Sequence, residues 1–273
     1  MSPQGTPFRL ARDLSLCLLL FERMGYIIAI AGKGGTGKTT IAALTVRLLK
    51  EKRLGSILAV DADPNNNLAE SLGVEVKETI GSILDEVSLH PEKIPSGMSK
   101  DRFIEYQVQT SITEGDGFDV LAMGRPEGPG CYCYVNNLLR NITGKLIKDY
   151  DYIVIDNEAG FEHLSRRTTR ACDALVVVSD ATPVGLKAAR RISDLVKELN
   201  IKVKKNLLLI NYSDKIVEKE WIKKLELDYI GNIPKDPQIS EISLNSSSLM
   251  ALKDDAVSLS SLRALGDYIW HKN

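Results

Sequence analysis

From residue 26 onward the chain repeats one hydropathy pattern: a short apolar run, a small or polar cluster, then a longer stretch with its apolar residues on one helical face. The runs are YIIAIA from 26, SILAVD from 56, FDVLAM from 118, YDYIVID from 150, DALVVVS from 173, NLLLIN from 206 and LDYIGNI from 227. Most hold Ile, Leu and Val without polar alternation, as strands buried on both faces of a parallel sheet require. Segments such as KTTIAALTVRLLKEK and VGLKAARRISDLVKEL keep a helical period instead. Strands alternating with helices predict an α/β fold, a doubly wound and mostly parallel sheet flanked by helices.

The first 23 residues stand apart. FRLARDLSLCLLLFERM has a basic flank and a short apolar run from Leu14 to Phe21, a faint likeness to a signal peptide. Glu22, Arg23 and Met24 stand where a small-residue cleavage site belongs, and the run is too short to span a bilayer. The reading is a leader over 1–23, outside the folded domain, and one domain over 24–273. A chain of 273 residues, 44% hydrophobic and 26% charged, can bury one large core. Lys and Arg total 35 against 36 Asp and Glu, so no basic excess draws nucleic acid or an anionic membrane, and neither partner is expected. The weakly charged tail SLSSLRALGDYIWHKN also argues against membrane docking. Cys17, Cys131, Cys133 and Cys172 are too few and too uneven for a disulfide framework. That points to a reducing cytoplasm, where close thiols bind metal or do redox work.

Ligands of doubly wound sheets sit at the carboxyl ends of the strands. After the first run comes GKGGTGKT, Gly32 to Thr39, which matches G-x-x-x-x-G-K-[ST] in full between a strand and a helix and predicts a P-loop NTPase fold. Gly32, Gly34, Gly35 and Gly37, with Thr36 and Thr40, form a loop whose backbone N–H groups turn onto a phosphate chain. Lys38 reaches the β- and γ-phosphates, and the Thr39 hydroxyl ligates Mg²⁺. Lys33 is not required by that pattern. K-G-G-T-G-K-T-T resembles the deviant Walker A class of dimeric ATPases, in which this lysine crosses to the partner's nucleotide; a solvated lysine is the alternative.

VDADPNNN places Asp61 and Asp63 near the γ-phosphate, where one carboxylate can stay by the metal and the other orient the attacking water. In the resembling class Asp63 does the latter; a helix cap or turn is the competing reading. YIVIDNEAG gives Asp156, at a strand end, for water-mediated Mg²⁺ binding, and Gly160 resembles a γ-phosphate-sensing switch glycine. INYSD and GNIPKD offer Asn211, Pro234 and Asp236 to the base edge and ribose, Asn because it pairs a donor and an acceptor as adenine does.

EGPGCYCYVN, residues 127–136, sets Cys131 and Cys133 one residue apart between FDVLAM and a predicted helix, NNLLRNITGKLIKDY. A disulfide between them closes a small strained ring. Burial conflicts with the flanking Gly128, Pro129 and Gly130. Metal binding is favoured: two thiolates are half of a four-coordinate soft site, and a two-fold dimer supplies the other half.

GKGGTGKTT, VDADPNNNL, MGRPEGPGCYCYVNNLLR and VIDNEAGFEHLSR together resemble the carbon monoxide dehydrogenase maturation factors, the CooC-type nickel-insertion ATPases. These belong to the larger group that holds cell-division, partition and nitrogenase iron proteins. The resemblance implies a cytoplasmic ATPase that uses ATP and Mg²⁺ and forms a homodimer with ATP or metal. It further implies Ni²⁺, or Zn²⁺ in its place, on Cys131 and Cys133 of both subunits, and carbon monoxide dehydrogenase or acetyl-CoA synthase as client. The alternatives are a partition-type or cell-division-type regulatory ATPase and an iron-sulfur electron-transfer ATPase. For the last, Cys172 is the only candidate second ligand, and core packing is its expected role. Arg166, Arg167 and Arg170 are read as a solvated helix face near the dimer seam.

Overall fold

A computed structural model describes residues 25–63, 65–124, 144–146, 148–157, 171–214, 219–245 and 247–271. The leader, Met24, Cys131, Cys133, Gly160 and Arg166, Arg167 and Arg170 lie outside these, as does most of the helix expected from NNLLRNITGKLIKDY, of which 144–146 are helical.

All seven apolar runs are strands: β1 (Tyr26–Gly32), β2 (Ile57–Asp61), β4 (Asp119–Ala122), β5 (Tyr152–Asp156), β6 (Ala171–Ser179), β7 (Lys202–Asn211) and β8 (Asp228–Ile233). A further two-residue strand, β3 (Thr113–Glu114), pairs antiparallel with β4, while every other pairing is parallel. The helices are α1 (Lys38–Glu51), α2 (Asn67–Leu72), α3 (Ile80–Leu89), α4 (Lys100–Ser111), α5 (Pro183–Glu198), α6 (Lys219–Lys223), α7 (Pro237–Leu244) and α8 (Val257–Trp270). Strand order is β3-β4-β2-β5-β1-β6-β7-β8. The doubly wound, mostly parallel sheet expected from the sequence is therefore present.

Alternation along β1 shows why both faces are covered. Ile27, Ala29 and Ala31 join a core with α3, α4 and α5, whereas Tyr26, Ile28 and Ile30 join another with α1, α2 and α8. Two phenols fasten the last helix: Tyr26 donates to Ile269 O at 3.0 Å and Tyr152 to Trp270 O at 3.3 Å, satisfying carbonyls that a helix end leaves without partners. On α1, the buried Arg47 guanidinium is paired with Glu51, Asp254 and the carbonyls of Leu249 and Leu252, so its charge is compensated.

Cys172 lies inside β6 and not before it, because parallel pairing with Lys202–Val203 extends that strand backward. It is 3% exposed in the core, at the amino end of the sheet, as a packing role requires. Burial pushes its thiol up to about 12, which leaves it inert as a nucleophile.

Candidate nucleotide site

The chain winds leftward from β1 to β2 and β4, returns through β5 and then proceeds right through β6, β7 and β8, so the order reverses at β1. That reversal opens a crevice at the carboxyl ends, and the GKGGTGKT loop occupies it. Lys33, Gly34 and Gly35 are exposed, while Gly32 and Thr36 are buried. The Thr36 hydroxyl donates to Lys33 O at 2.8 Å and closes the loop. Gly37 begins α1 in the left-handed region at φ +86° without any side-chain cap, so the first turn of a 14-residue helix keeps its donors and its positive dipole end for an anion. Lys38, 8% exposed, donates to Lys33 O at 3.4 Å, folded over the loop it would leave for a phosphate.

Three strand ends meet beside this loop. In register across neighbouring strands, Asp156 pairs with Ile30 on one side and with Asp61 on the other. The Asp61 carboxylate is fully buried and already committed: Oδ1 accepts from Asp63 N at 3.1 Å and Oδ2 from Leu68 N at 2.8 Å. It thereby ties down the turn before α2 while standing in register with Asp156. Asp63 Oδ1 likewise accepts from the backbone and side chain of Asn65, both at 2.9 Å, in an Asx turn.

Asp156 differs. Both of its carboxyl oxygens are buried without a hydrogen-bond partner, although the Thr39 hydroxyl and the Lys38 ammonium stand close enough to favour its charge. Burial nevertheless dominates, with the nearby Asp61 adding to it, and pushes Asp156 up to about 7. Burial raises Asp61 to about 6 against the pull of its backbone donors. An orphaned carboxylate beside a threonine hydroxyl and a P-loop lysine is a donor set that suits a hard, hydrated cation, and Mg²⁺ fits it.

On the other flank a cavity of about 470 Å³ runs on from the start of α1, lined by Thr40, Ile41, Leu44, Asn211, Tyr212, Pro234 and Ile239 among others. The structure brings Asn211, Pro234 and Asp236 to it as the sequence suggests, with two corrections. The Asn211 amide is not unattached, because its Nδ2 donates one of its two hydrogens to Thr36 O at 2.8 Å and so ties the end of β7 to the P-loop. Asp236 is not a free ribose contact. Its Oδ1 accepts from Gln238 N, and its Oδ2 accepts from Ser258 N at 3.0 Å and Ser258 Oγ at 2.7 Å. Burial opposes the charge, yet the Ser258 and Gln238 bonds hold the carboxyl below its ordinary value. Asp236 thus caps α7 and fixes it to α8, setting the cavity wall.

Replacing Asp236 by Ala should therefore destabilise the fold by about 2 kcal/mol, since two buried donors of Ser258 and the part-buried Gln238 N–H lose their acceptor. Denaturant unfolding reads that loss, and steady-state kinetics should show a raised KM for ATP with kcat changed less than about twofold. A fall in kcat at unchanged KM would show that Asp236 acts on the phosphates instead.

Tyr212, beside Asn211, was not singled out from the sequence; nothing in INYSD marks it, because its placement depends on a backbone conformation seen only in the fold. Among the described residues no group of three or more His, Cys, Asp or Glu is placed to hold a metal ion, and no helix is long and apolar enough to cross a membrane.

Comparison with known proteins agrees with this geometry. Residues 25–209 match the family AAA_31, described as an AAA domain. An uncharacterised ATP-binding protein of Methanocaldococcus jannaschii is 44% identical over 84% of this chain and 92% of its own. The carbon monoxide dehydrogenase accessory protein CooC of Rhodospirillum rubrum is 31% identical over 78% of this chain and 84% of its own. The cell division ATPase MinD of Pyrococcus furiosus superposes with a TM-score of 0.67 at 24% identity, over 90% of this chain and 98% of that one. The chain belongs to the AAA_31 family of P-loop ATPases, is an ATPase related to the CooC accessory protein, and shares its fold with MinD.

Proposed function

We propose that this ATPase is a metallochaperone that dimerises and helps insert nickel into carbon monoxide dehydrogenase or acetyl-CoA synthase. The observation that supports it most is the Cys-x-Cys pair, Cys131 and Cys133, in a chain 31% identical to a carbon monoxide dehydrogenase accessory protein. Two such pairs facing across a two-fold axis make a four-thiolate site for Ni²⁺ or Zn²⁺ as cargo.

In this reading the uncapped start of α1 and the loop Gly32–Thr40 hold the phosphates of ATP. Lys38 neutralises the β- and γ-phosphates, Lys33 reaches the partner's nucleotide, and Asp63 orients the attacking water. Thr39 and Asp156 would hold Mg²⁺, which when bound supplies positive charge at the phosphates. Asn211 and Pro234 receive the base. Loss of the γ-phosphate contacts at Asp63 and Gly160 relaxes the dimer and opens the thiolate site, so hydrolysis gates transfer of the metal.

Anaerobic metal analysis with solution mass, with and without ATP, tests this. About one nickel per two chains is expected, lost on Cys131→Ser or Cys133→Ser with ATP hydrolysis retained, along with loss of client activation. Protein that binds ATP and dimerises but retains no metal would make a regulatory ATPase the better reading. An iron-sulfur protein bridging a cluster through separated cysteines is disfavoured by Cys172, which is buried at the amino end of the sheet, opposite the nucleotide.

A further inference from the structure

Asp156 lacks what usually aims a buried carboxylate. Neither of its oxygens has a hydrogen-bond partner, so its direction is set by the backbone that carries it. That backbone is held on both sides at the end of β5. Asp156 O accepts from Ala62 N at 2.9 Å, just beyond β2. On the other side it stands in register with Ile30 of β1, two residues before Gly32 of the P-loop.

Asn157, 3% exposed, makes the hold on β1 and makes it twice. Its backbone N–H donates to Ile30 O at 3.1 Å, continuing the parallel ladder, and its side-chain Nδ2 folds back to donate to the same oxygen at 2.8 Å. Ile155 O lies 3.5 Å from that nitrogen, so two carbonyl oxygens face this end of the amide and only its N–H end fits there. Strand pairing alone already satisfies Ile30 O, so the carbonyl does not need the amide. What the amide adds is stiffness at one joint, where β1 runs on into the phosphate loop and β5 ends directly after the carboxylate.

We infer that Asn157 is a positioning residue for the Mg²⁺ carboxylate: its side-chain amide clamps the end of β5 to Ile30 and so holds Asp156 at a fixed place relative to the P-loop. The inference rests on Asp156 holding Mg²⁺, as proposed above. Mg²⁺ demands near-ideal octahedral geometry, so a displacement of the carboxylate that nucleotide binding tolerates still weakens the metal. Groups that orient a metal's ligands without touching the ion typically change its affinity by about 10- to 100-fold.

Asn157→Leu keeps the bulk and loses the donor, Asn157→Ala loses both, and Ile30 O keeps its backbone partner in each. Calorimetric titration of ADP with and without Mg²⁺ reads the effect, with unfolding curves as the control for folding. Without Mg²⁺ both variants should bind ADP within about twofold of wild type. The gain in affinity on adding Mg²⁺ should fall about tenfold, and the Mg²⁺ concentration for half-maximal ATP hydrolysis should rise by a similar factor. In the Asp156→Asn background the Asn157 substitutions should change the Mg²⁺ gain no further, which a merely structural role would not produce. Equal losses with and without Mg²⁺, or an undiminished Mg²⁺ gain in Asn157→Leu, overturn the inference. An undiminished gain in Asp156→Asn overturns the placement of Mg²⁺ and the inference with it, whereas a loss there beside none in Asn157→Leu removes only the role of Asn157.

Discussion

Asp156→Asn protein is expected to be more stable than the parent at pH 8 without Mg²⁺ and nucleotide, yet to hydrolyse ATP about a thousandfold more slowly. Both effects have one origin. The carboxylate is 1% exposed, has no hydrogen-bond partner, and faces Asp61 across neighbouring strands. Folding the apo protein at pH 8 buries this charge with only the Thr39 hydroxyl and the Lys38 ammonium nearby to offset the desolvation, and an amide lowers that cost, giving about 2 kcal/mol in thermal or denaturant unfolding. The same charge is what a Mg²⁺ shell beside Thr39 needs, so its loss removes metal-dependent stabilisation of the phosphates. Parallel losses of stability and activity would show that Asp156 is structural.

The pH dependence has a definite sign. Asp156 and Asp61 titrate at about 7 and about 6 in the folded chain, above the ordinary 3.8. Between the unfolded and folded values the native state binds the extra protons, so this contribution to stability is full below pH 4 and is lost as pH rises through 6 to 7. Asp61 keeps its backbone donors, so Asp156 is the member of the pair that holds the proton. The advantage of Asp156→Asn should accordingly be small at pH 5 and largest at pH 8, and stabilisation of the parent by MgADP should grow over the same interval.

Such features divide what the sequence could reveal from what only the fold shows. The strands were legible because parallel strands buried on both faces need unbroken apolar runs, and the P-loop because its glycines, lysine and threonine are contiguous. β3 was not, since two residues, Thr113 and Glu114, carry no period and exist as a strand only through β4. Asp236 was found but misassigned, because its partner Ser258 lies 22 residues away and reaches it only when α7 and α8 pack. Asp61 and Asp63 look alike in VDADPNNN and both accept from backbone N–H groups, but only the fold shows that Asp61 is fully buried and tied to Leu68 N at the start of α2. The donor and acceptor of Asn211 were legible, but the anchoring of its nitrogen to Thr36 O was not. Local chemistry was readable; its allocation among partners required tertiary contacts.

Two glycines of the loop put that allocation to a quantitative test. Gly35 and Gly37 have nearly equal φ, +79° and +86°, so alanine at either carries a similar backbone strain of about 1–2 kcal/mol. Their surroundings differ: a Cβ on Gly35 meets nothing within 4 Å, while one on Gly37 strikes Asn211 Nδ2 and Tyr212 Oη. Gly37→Ala should therefore weaken ADP binding by about 100-fold, because relieving the clash displaces Asn211 from Thr36 and tilts the first turn of α1 away from the phosphates. Gly35→Ala should cost about tenfold or less, the share due to strain alone. Calorimetric titration of ADP into both proteins, with unfolding curves as the control for folding, gives the comparison. Equal losses would mean that backbone strain alone sets the requirement for glycine; a larger loss at Gly37 would show that the loop and the base cavity are one interlocked unit, so that the base end of the nucleotide helps set the phosphate end.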